Sequence, residues 1–299
     1  MLKFTSCLML VAALSTTSAY ARTKVIYGAD NRVDVADSVN FQFQDYAQST
    51  AAMIEKSKLV KKEDRLTLST GTLQEEFNVC TTERFYDQPA AAYCSGFLVA
   101  PDLLVTAGHC VIPAAMGGDQ CERFSWVFDY RSDVLDLENM DDSKIYNCAE
   151  VLHHELDSEK RSDFALIRLD RPVSDRPFLN FRKEGKVETG SELVVIGHPS
   201  GLPTKISDGA TVQDNSSEQF FTSDLDTYGG NSGSAVINVS TGEVEGILVR
   251  GATDYVRTQE GCIVSNRCSS ISPFGCGGEG VSRITLVDIL SHLQTNPEK

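Results

Sequence analysis

An all-β fold, a barrel or sandwich of short strands, is what this sequence predicts, and three features predict it. From about residue 90 onward, short runs of β-branched and aromatic residues alternate with turn chemistry. Helical periodicity is scarce. The chain has 299 residues, of which 41% are hydrophobic, enough apolar material for one large globular unit or two modest ones.

Taken in order, the elements begin with a leader. Lys3 precedes the apolar run Leu8 to Leu14, and Ala19-Tyr20-Ala21 supplies a small-residue cleavage site, so residues 1–21 read as a secretory signal. Ala47 to Lys56 suits either a short helix or a strand. Strands are predicted at Ser95-Gly96-Phe97-Leu98-Val99, Leu103-Leu104-Val105-Thr106, Phe164-Ala165-Leu166-Ile167, Leu193-Val194-Val195-Ile196, Ala235-Val236-Ile237 and Val244 to Val249. Asp133 to Asp142 reads as a solvated acidic loop. A terminal amphipathic helix is expected over Thr285 to Leu293, with Leu286, Ile289, Leu290 and Leu293 on one face. No internal repeat or low-complexity tract is present.

Charge and cysteine usage narrow the function classes. With 42 acidic residues against 27 basic ones and a net charge of −15, the chain would repel a phosphate backbone, which excludes nucleic-acid binding. No stretch beyond the leader is long and apolar enough for a membrane helix. Eight cysteines follow the leader: Cys80, Cys94, Cys110, Cys121, Cys148, Cys262, Cys268 and Cys276. An even number in an exported chain points to disulfides. Zinc is the competing reading, but no Cys-x-x-Cys pair exists, and His153 and His154 would point to opposite faces of a strand.

Three segments carry chemistry that belongs together. A serine hydroxyl is a poor nucleophile at neutral pH and needs a base in reach, which histidine supplies. Gly229-Gly230-Asn231-Ser232-Gly233-Ser234 offers the serine, in a turn tight enough for the N–H groups of Gly230 and Ser232 to converge on an oxyanion. Thr106-Ala107-Gly108-His109-Cys110 offers the base at a strand end. Ser162-Asp163-Phe164-Ala165 puts a carboxylate at the mouth of a third strand, where it could orient the imidazole.

The order His109, Asp163, Ser232 and these three contexts resemble the chymotrypsin-like, trypsin-fold serine proteases, from about Cys94 to the C-terminus. The resemblance implies two packed six-stranded antiparallel β-barrels with a short C-terminal helix. It divides the chain into an N-terminal segment over 22–40, with a short propeptide at 22–24 if processing continues past Lys24 to Val25, a first barrel over 41–175 and a second over 176–299. Residues 57–93 lengthen the connection before the histidine, and nothing in the family pattern places them. Cys94-Ser95-Gly96 with His109-Cys110 resembles the family's histidine loop, which implies a Cys94–Cys110 disulfide, worth about 3 kcal/mol by chain entropy.

Gly-Asn-Ser-Gly-Ser, Val25-Ile26-Tyr27-Gly28, Asp30-Asn31-Arg32 and Gly197-His198-Pro199-Ser200-Gly201 bring the chain nearest to the bacterial glutamyl endopeptidase group. It departs from both family patterns at informative positions. Asn231 stands where animal trypsins carry the aspartate that pairs with the freed N-terminal amine. Leu248 stands where the glutamyl group carries a histidine that meets substrate glutamate, and Asp226, six residues before Ser232, stands where that group has a small neutral residue.

By the trypsin pattern Asp226 is the base of the primary pocket, with Thr227, Val249, Gly251 and Gly280 lining the substrate. That implies cleavage after arginine or lysine, since a glutamate would face a like charge. The expected protein is a secreted or periplasmic monomeric endopeptidase. Its partners would be protein or peptide substrates and protein inhibitors, with no cofactor, metal or membrane insertion. Two alternatives differ from it: a catalytically silent homologue that uses the barrels for binding or adhesion, and an active enzyme that cleaves after glutamate. An α/β-hydrolase esterase fails on residue order, because that fold presents Ser, then Asp, then His.

Overall fold

The computed structural model describes residues 25–112, 119–269, 271 and 276–293, so the expected leader lies outside the described residues. Two closed antiparallel barrels carry the chain. The first is formed by β1 (Thr50–Glu55), β2 (Ala92–Ala100), β3 (Leu103–Thr106), β4 (Phe124–Phe128), β5 (Ile145–Asp157) and β6 (Ser162–Leu169), in the order β6-β3-β2-β1-β4-β5, with β5 pairing back onto β6. The second is formed by β7 (Glu192–Gly197), β8 (Lys205–Asp214), β9 (Phe220–Ser223), β10 (Ala235–Asn238), β11 (Val244–Arg250) and β12 (Glu279–Arg283), in the order β7-β10-β11-β12-β9-β8, with β8 closing onto β7. Arg32–Asp34 adds a short antiparallel strand to β8.

Successive residues on a strand face opposite ways, and this explains why strands such as β7 are apolar throughout rather than alternating. Leu193 and Val195 point into the second barrel with Val212, Phe221, Leu248 and Val281. Val194 and Ile196, with Ala235, Ile237 and Ile247, point the other way and join the core of the first barrel. Both faces are therefore buried, and the barrels share one apolar seam.

One local expectation is resolved and another corrected. Of the two readings of Ala47 to Lys56 the strand holds, since β1 covers Thr50–Glu55, while a helix Phe41–Ala47 ends where the stretch begins. Asn40 decides the helix start, its side chain accepting from the N–H groups of Gln42 and Phe43, while Ala51 to Ile54 pair with β2 and β4 on either side. The terminal helix is shorter than expected, running Ile289–Leu293 after a 3₁₀ turn at Ile284–Leu286. Asp288, the residue before it, sets its start by accepting the Ser291 N–H.

The segment 57–93 forms a hairpin, Leu59–Lys62 with Arg65–Leu68, and then a helix, Leu73–Phe77, started by a Thr72/Glu75 capping box. Leu59, Leu66 and Leu68 pack against Ala52, Ile54 and Tyr130 of the first barrel. Its far end reaches the second barrel, where Cys80 is bonded to Cys262 and the Ala91 N–H donates to the Gly201 carbonyl (2.9 Å). The remaining cysteines pair as Cys94–Cys110, Cys121–Cys148 and Cys268–Cys276, so all eight are in disulfides.

His198 sits where the barrels meet. Its ring is fully buried beside Tyr130, and its Nδ1–H donates to the Leu202 carbonyl (3.1 Å). Burial drives this imidazole from its usual 6.5 down to about 3, against the raising influence of the Leu202 carbonyl.

Two outcomes follow. Between pH 6.5 and about 3 the unfolded chain binds a proton that the native His198 refuses, so stability is lost as pH falls below 6.5, by up to about 1.4 kcal/mol per pH unit. In urea unfolding at pH 7 and pH 4.5, His198→Asn should shrink the difference between the two by about 2 to 3 kcal/mol; an unchanged difference would remove His198 as its source. The Cys80–Cys262 bond joins residues 182 apart, so the Cys80→Ser/Cys262→Ser double variant should lose roughly 2 to 5 kcal/mol, measured by urea unfolding under conditions that keep the other disulfides intact.

Candidate active site

The histidine loop is built by β3 running out of its barrel. Thr106 is the last strand residue, Ala107 is buried, and a single turn Gly108–Val111 carries His109 back across the barrel mouth, where the Cys94–Cys110 disulfide clamps it to β2. Asp163 lies near the start of β6, the strand that pairs with β3, so ordinary sheet register brings it to His109. Its Oδ2 lies 2.7 Å from His109 Nδ1, and its Oδ1 accepts the His109 backbone N–H at 3.0 Å. Both residues are under 10% exposed. A carboxylate offers only lone pairs, so Nδ1 carries the proton and, in the neutral ring, Nε2 bears the lone pair. The second barrel contributes here as well, because the Asp163 N–H donates to Ser282 Oγ of β12 (3.2 Å).

Ser232 stands in the turn that precedes β10. Gly230 and Gly233 adopt φ of +89° and +91°, conformations that side chains resist, and a Cβ on Gly233 would also overlap the Ser95 carbonyl. This close approach is how the turn meets the first barrel. The Ser95 N–H donates to the Ser232 carbonyl (2.8 Å) and Ser95 Oγ donates to the Gly230 carbonyl (2.8 Å). The same Oγ accepts the His198 N–H (2.9 Å), so the loop Gly197–Gly201 braces the turn from its other side. Among the described residues, the N–H groups of Gly230 and Ser232 meet no acceptor, the condition in which such groups can receive an oxyanion. Asn231 Oδ1 accepts from Ser234 Oγ (3.2 Å).

The pocket residues fall differently from expectation. Asp226 is not the open base of a pocket. It is 2% exposed, its Oδ1 accepts the Tyr27 N–H (2.7 Å) and its Oδ2 accepts the Asn31 N–H (2.9 Å). The physical reason is the segment 25–31, which threads beside it: Ile26–Tyr27 pair in parallel with Arg267–Cys268, and the Thr227 N–H lies 3.4 Å from the Val25 carbonyl. Burial pushes the Asp226 carboxyl up to about 6, against the lowering pull of the Asn31 and Tyr27 N–H groups. Val249 turns its side chain into the shared apolar core. Arg250 covers Gly280, its Cγ 2.5 Å from where a Cβ would be, and reaches out to the Arg161 carbonyl.

Sequence reasoning passed over three residues that the structure brings in. Ser95 was readable only as part of a Cys-Ser-Gly context, and Ser282 as one more strand residue. Glu279 had a signal, an acidic residue at the start of a strand and beside Gly280, and its carboxylate accepts from Thr227 Oγ1.

Comparisons with known proteins agree with this architecture. A solved structure of a Glu endopeptidase in complex with MPD shares 17% sequence identity, with a TM-score of 0.50, over 91% of this chain and 100% of that one. No curated protein matches the chain. The family described as trypsin-like peptidase domain matches residues 94–247, more than half of the sequence, a span that takes in His109, Asp163 and Ser232. The chain therefore belongs to the trypsin-like peptidase family.

Proposed function

We propose that this protein is a secreted serine endopeptidase that hydrolyses peptide bonds through an acyl-enzyme and cleaves after arginine or lysine. The observation that carries the reading is the His109–Asp163 pair held against the glycine-flanked Ser232 turn across the seam of the two barrels. In this reading His109 Nε2 takes the Ser232 Oγ proton as the oxygen attacks the scissile carbonyl carbon. The carbonyl π electrons move to oxygen, where the Gly230 and Ser232 N–H groups stabilise the charge. Collapse of the tetrahedral intermediate expels the amine, which receives the proton from His109. Water then attacks the acyl-enzyme by the same route in reverse. Asp163 stays ionised throughout, keeping the tautomer and stabilising the imidazolium.

The eight cysteines among the described residues, all in disulfides, favour an oxidising compartment, and no helix among those residues is long and apolar enough to cross a membrane. Basic specificity is supported by the acidic surroundings of the residues before the nucleophile, where Asp226 and Glu279 are both buried. The glutamate-cleaving alternative finds no partner for its substrate at position 248, since Leu248 is a core residue with no charge to offer. The Asn231 side chain is neutral and faces Ser234, so activation by a salt bridge from the N-terminal amine to that position is not part of the proposal.

Reaction of the purified protein with a fluorophosphonate, followed by peptide mapping, should label Ser232. Ser232→Ala and His109→Ala should each lower turnover by several orders of magnitude in a folded protein, and Asp163→Asn by up to about four. Full proteolysis by Ser232→Ala would overturn the assignment, and a folded wild type that neither labels nor cleaves would favour the silent homologue.

A further inference from the structure

Two consecutive glycines, Gly229 and Gly230, lead into Asn231 and Ser232, and such a step is the part of the turn least able to keep an orientation of its own. That orientation matters, because in the reading above the Gly230 N–H is one of the two groups that receive the oxyanion. A peptide unit is a rigid plane with its C=O and N–H on opposite sides. The Gly229 carbonyl accepts the Ser200 N–H, so the Gly230 N–H of the same unit is turned the other way. The preceding unit is held as well, since the Gly229 N–H donates to Asp254 Oδ2 (3.0 Å). A Cβ at position 229 would stand only 3.2 Å from that oxygen.

Asp254 is itself held in place from two directions. The Asn266 N–H donates to the Asp254 carbonyl (2.8 Å), and Asn266 Nδ2 donates to the Thr253 carbonyl (2.8 Å), which closes the base of the hairpin Tyr255–Arg257 with Ile263–Ser265. The next residue, Tyr255, hydrogen-bonds through its hydroxyl to Ser200 Oγ (2.6 Å) and sets its ring 4.9 Å from that of the buried Tyr228. One short segment thus reaches both sides of Gly229. Behind it stands the insertion over 57–93: the Ile263 N–H donates to the Asn78 carbonyl (3.0 Å), the Cys80 N–H donates to the Ile263 carbonyl (2.9 Å), and Cys80 is bonded to Cys262.

We propose that Asp254 is a positioning residue for the hydrolysis, fixing the Gly229 N–H opposite the Ser200 clamp on the Gly229 carbonyl so that the Gly230 N–H keeps facing the oxyanion. The proposal rests on the endopeptidase reading above. Asn231 faces Ser234 and gives the turn no charged anchor, whereas Asp254 supplies one from the hairpin. Its benefit lies in the acceptor and not in the charge, because a negative charge near the turn opposes the one that develops on the substrate oxygen. The insertion and its disulfide acquire a purpose on this view, as the backing of the hairpin that presents Asp254.

The test uses the full mature protein, a fluorogenic peptide chosen from the wild-type cleavage profile, and the boronic acid counterpart of that peptide, whose tetrahedral adduct places an oxygen where the oxyanion forms. Rates are expressed per Ser232 titrated with fluorophosphonate, so that only folded enzyme is counted. Asp254→Ala should lower kcat roughly 10- to 100-fold with KM within a few-fold, and weaken the boronic acid in proportion to kcat. Asp254→Asn, which keeps an oxygen in place to accept the Gly229 N–H, should restore most of both. Asp254→Glu keeps the charge but displaces its oxygens by a methylene, so it should lose part of the rate, and it decides the matter if the Ala variant folds poorly. Wild-type kcat and boronic acid affinity in titrated Asp254→Ala or Asp254→Glu, or an Asn variant as slow as Ala, would overturn this role alone. A folded wild type that neither labels nor cleaves would overturn the endopeptidase reading, and this role with it.

Discussion

Everything at the centre of this molecule depends on one contact, the meeting of Ser95 with the turn that carries Ser232. A strand residue of the first barrel has its N–H, its hydroxyl and its carbonyl all engaged at the seam. They serve the Ser232 carbonyl, the Gly230 carbonyl and Thr106 Oγ1 respectively, while His198 donates to the hydroxyl from behind. These groups are buried, and an unmade hydrogen bond there would cost about 1 to 3 kcal/mol each. The two barrels are therefore held at a fixed separation and rotation exactly where their functional residues converge. Apolar packing across the seam supplies most of the attraction, but it is non-directional. The Ser95 network supplies the register.

The residues of the site were legible in proportion to how local their requirements are. His109, Asp163 and Ser232 each sit in a short context whose purpose can be stated without the fold: a strand end, a strand mouth, a glycine turn. The strands were legible for the same reason, since β-branched runs between turns carry their own signal. Asp226 misled because counting back from the nucleophile locates a backbone position and says nothing of what else packs there. The segment 25–31 lies about two hundred residues away in sequence, and only the folded chain brings its N–H groups to that carboxylate. Glu279 was hidden by the same non-locality in reverse. Its pairing with Thr227 crosses 52 residues. The connectivity of six cysteines was unreadable in principle, because fifteen pairings satisfy the spacing equally well.

The N-terminal segment emerges as part of the second barrel rather than as a lead-in to the first. Arg32–Asp34 extends the sheet beside β8, and Lys205 of that strand is buried with its ammonium on Asp34 Oδ1 (2.6 Å) and Gln88 Oε1 (2.7 Å). One cation thus fastens the N-terminal segment and the long insertion to the same strand. Arg32 repeats the pattern a few residues earlier, its guanidinium paired with Asp30 and stacked 4.3 Å over the Tyr228 ring. Burying such charges is costly unless each is paired, and here each is. The acidic surplus of the chain is thereby put to structural use around the few cations it retains.

The bond between Cys80 and Cys262 also imposes an order on synthesis. Cys80 is made 182 residues ahead of its partner, whereas Cys94 and Cys110 lie only 16 apart and can close as soon as β2 and β3 pair. Until the second barrel is complete, a reactive thiol therefore waits fourteen residues upstream of a cysteine that already has a proper mate. Thiolate attack on a nearby disulfide is chemically ready at that stage, so correct assembly favours a surrounding able to reshuffle bonds as well as form them. The staple that secures the insertion in the finished molecule makes the nascent chain dependent on that exchange.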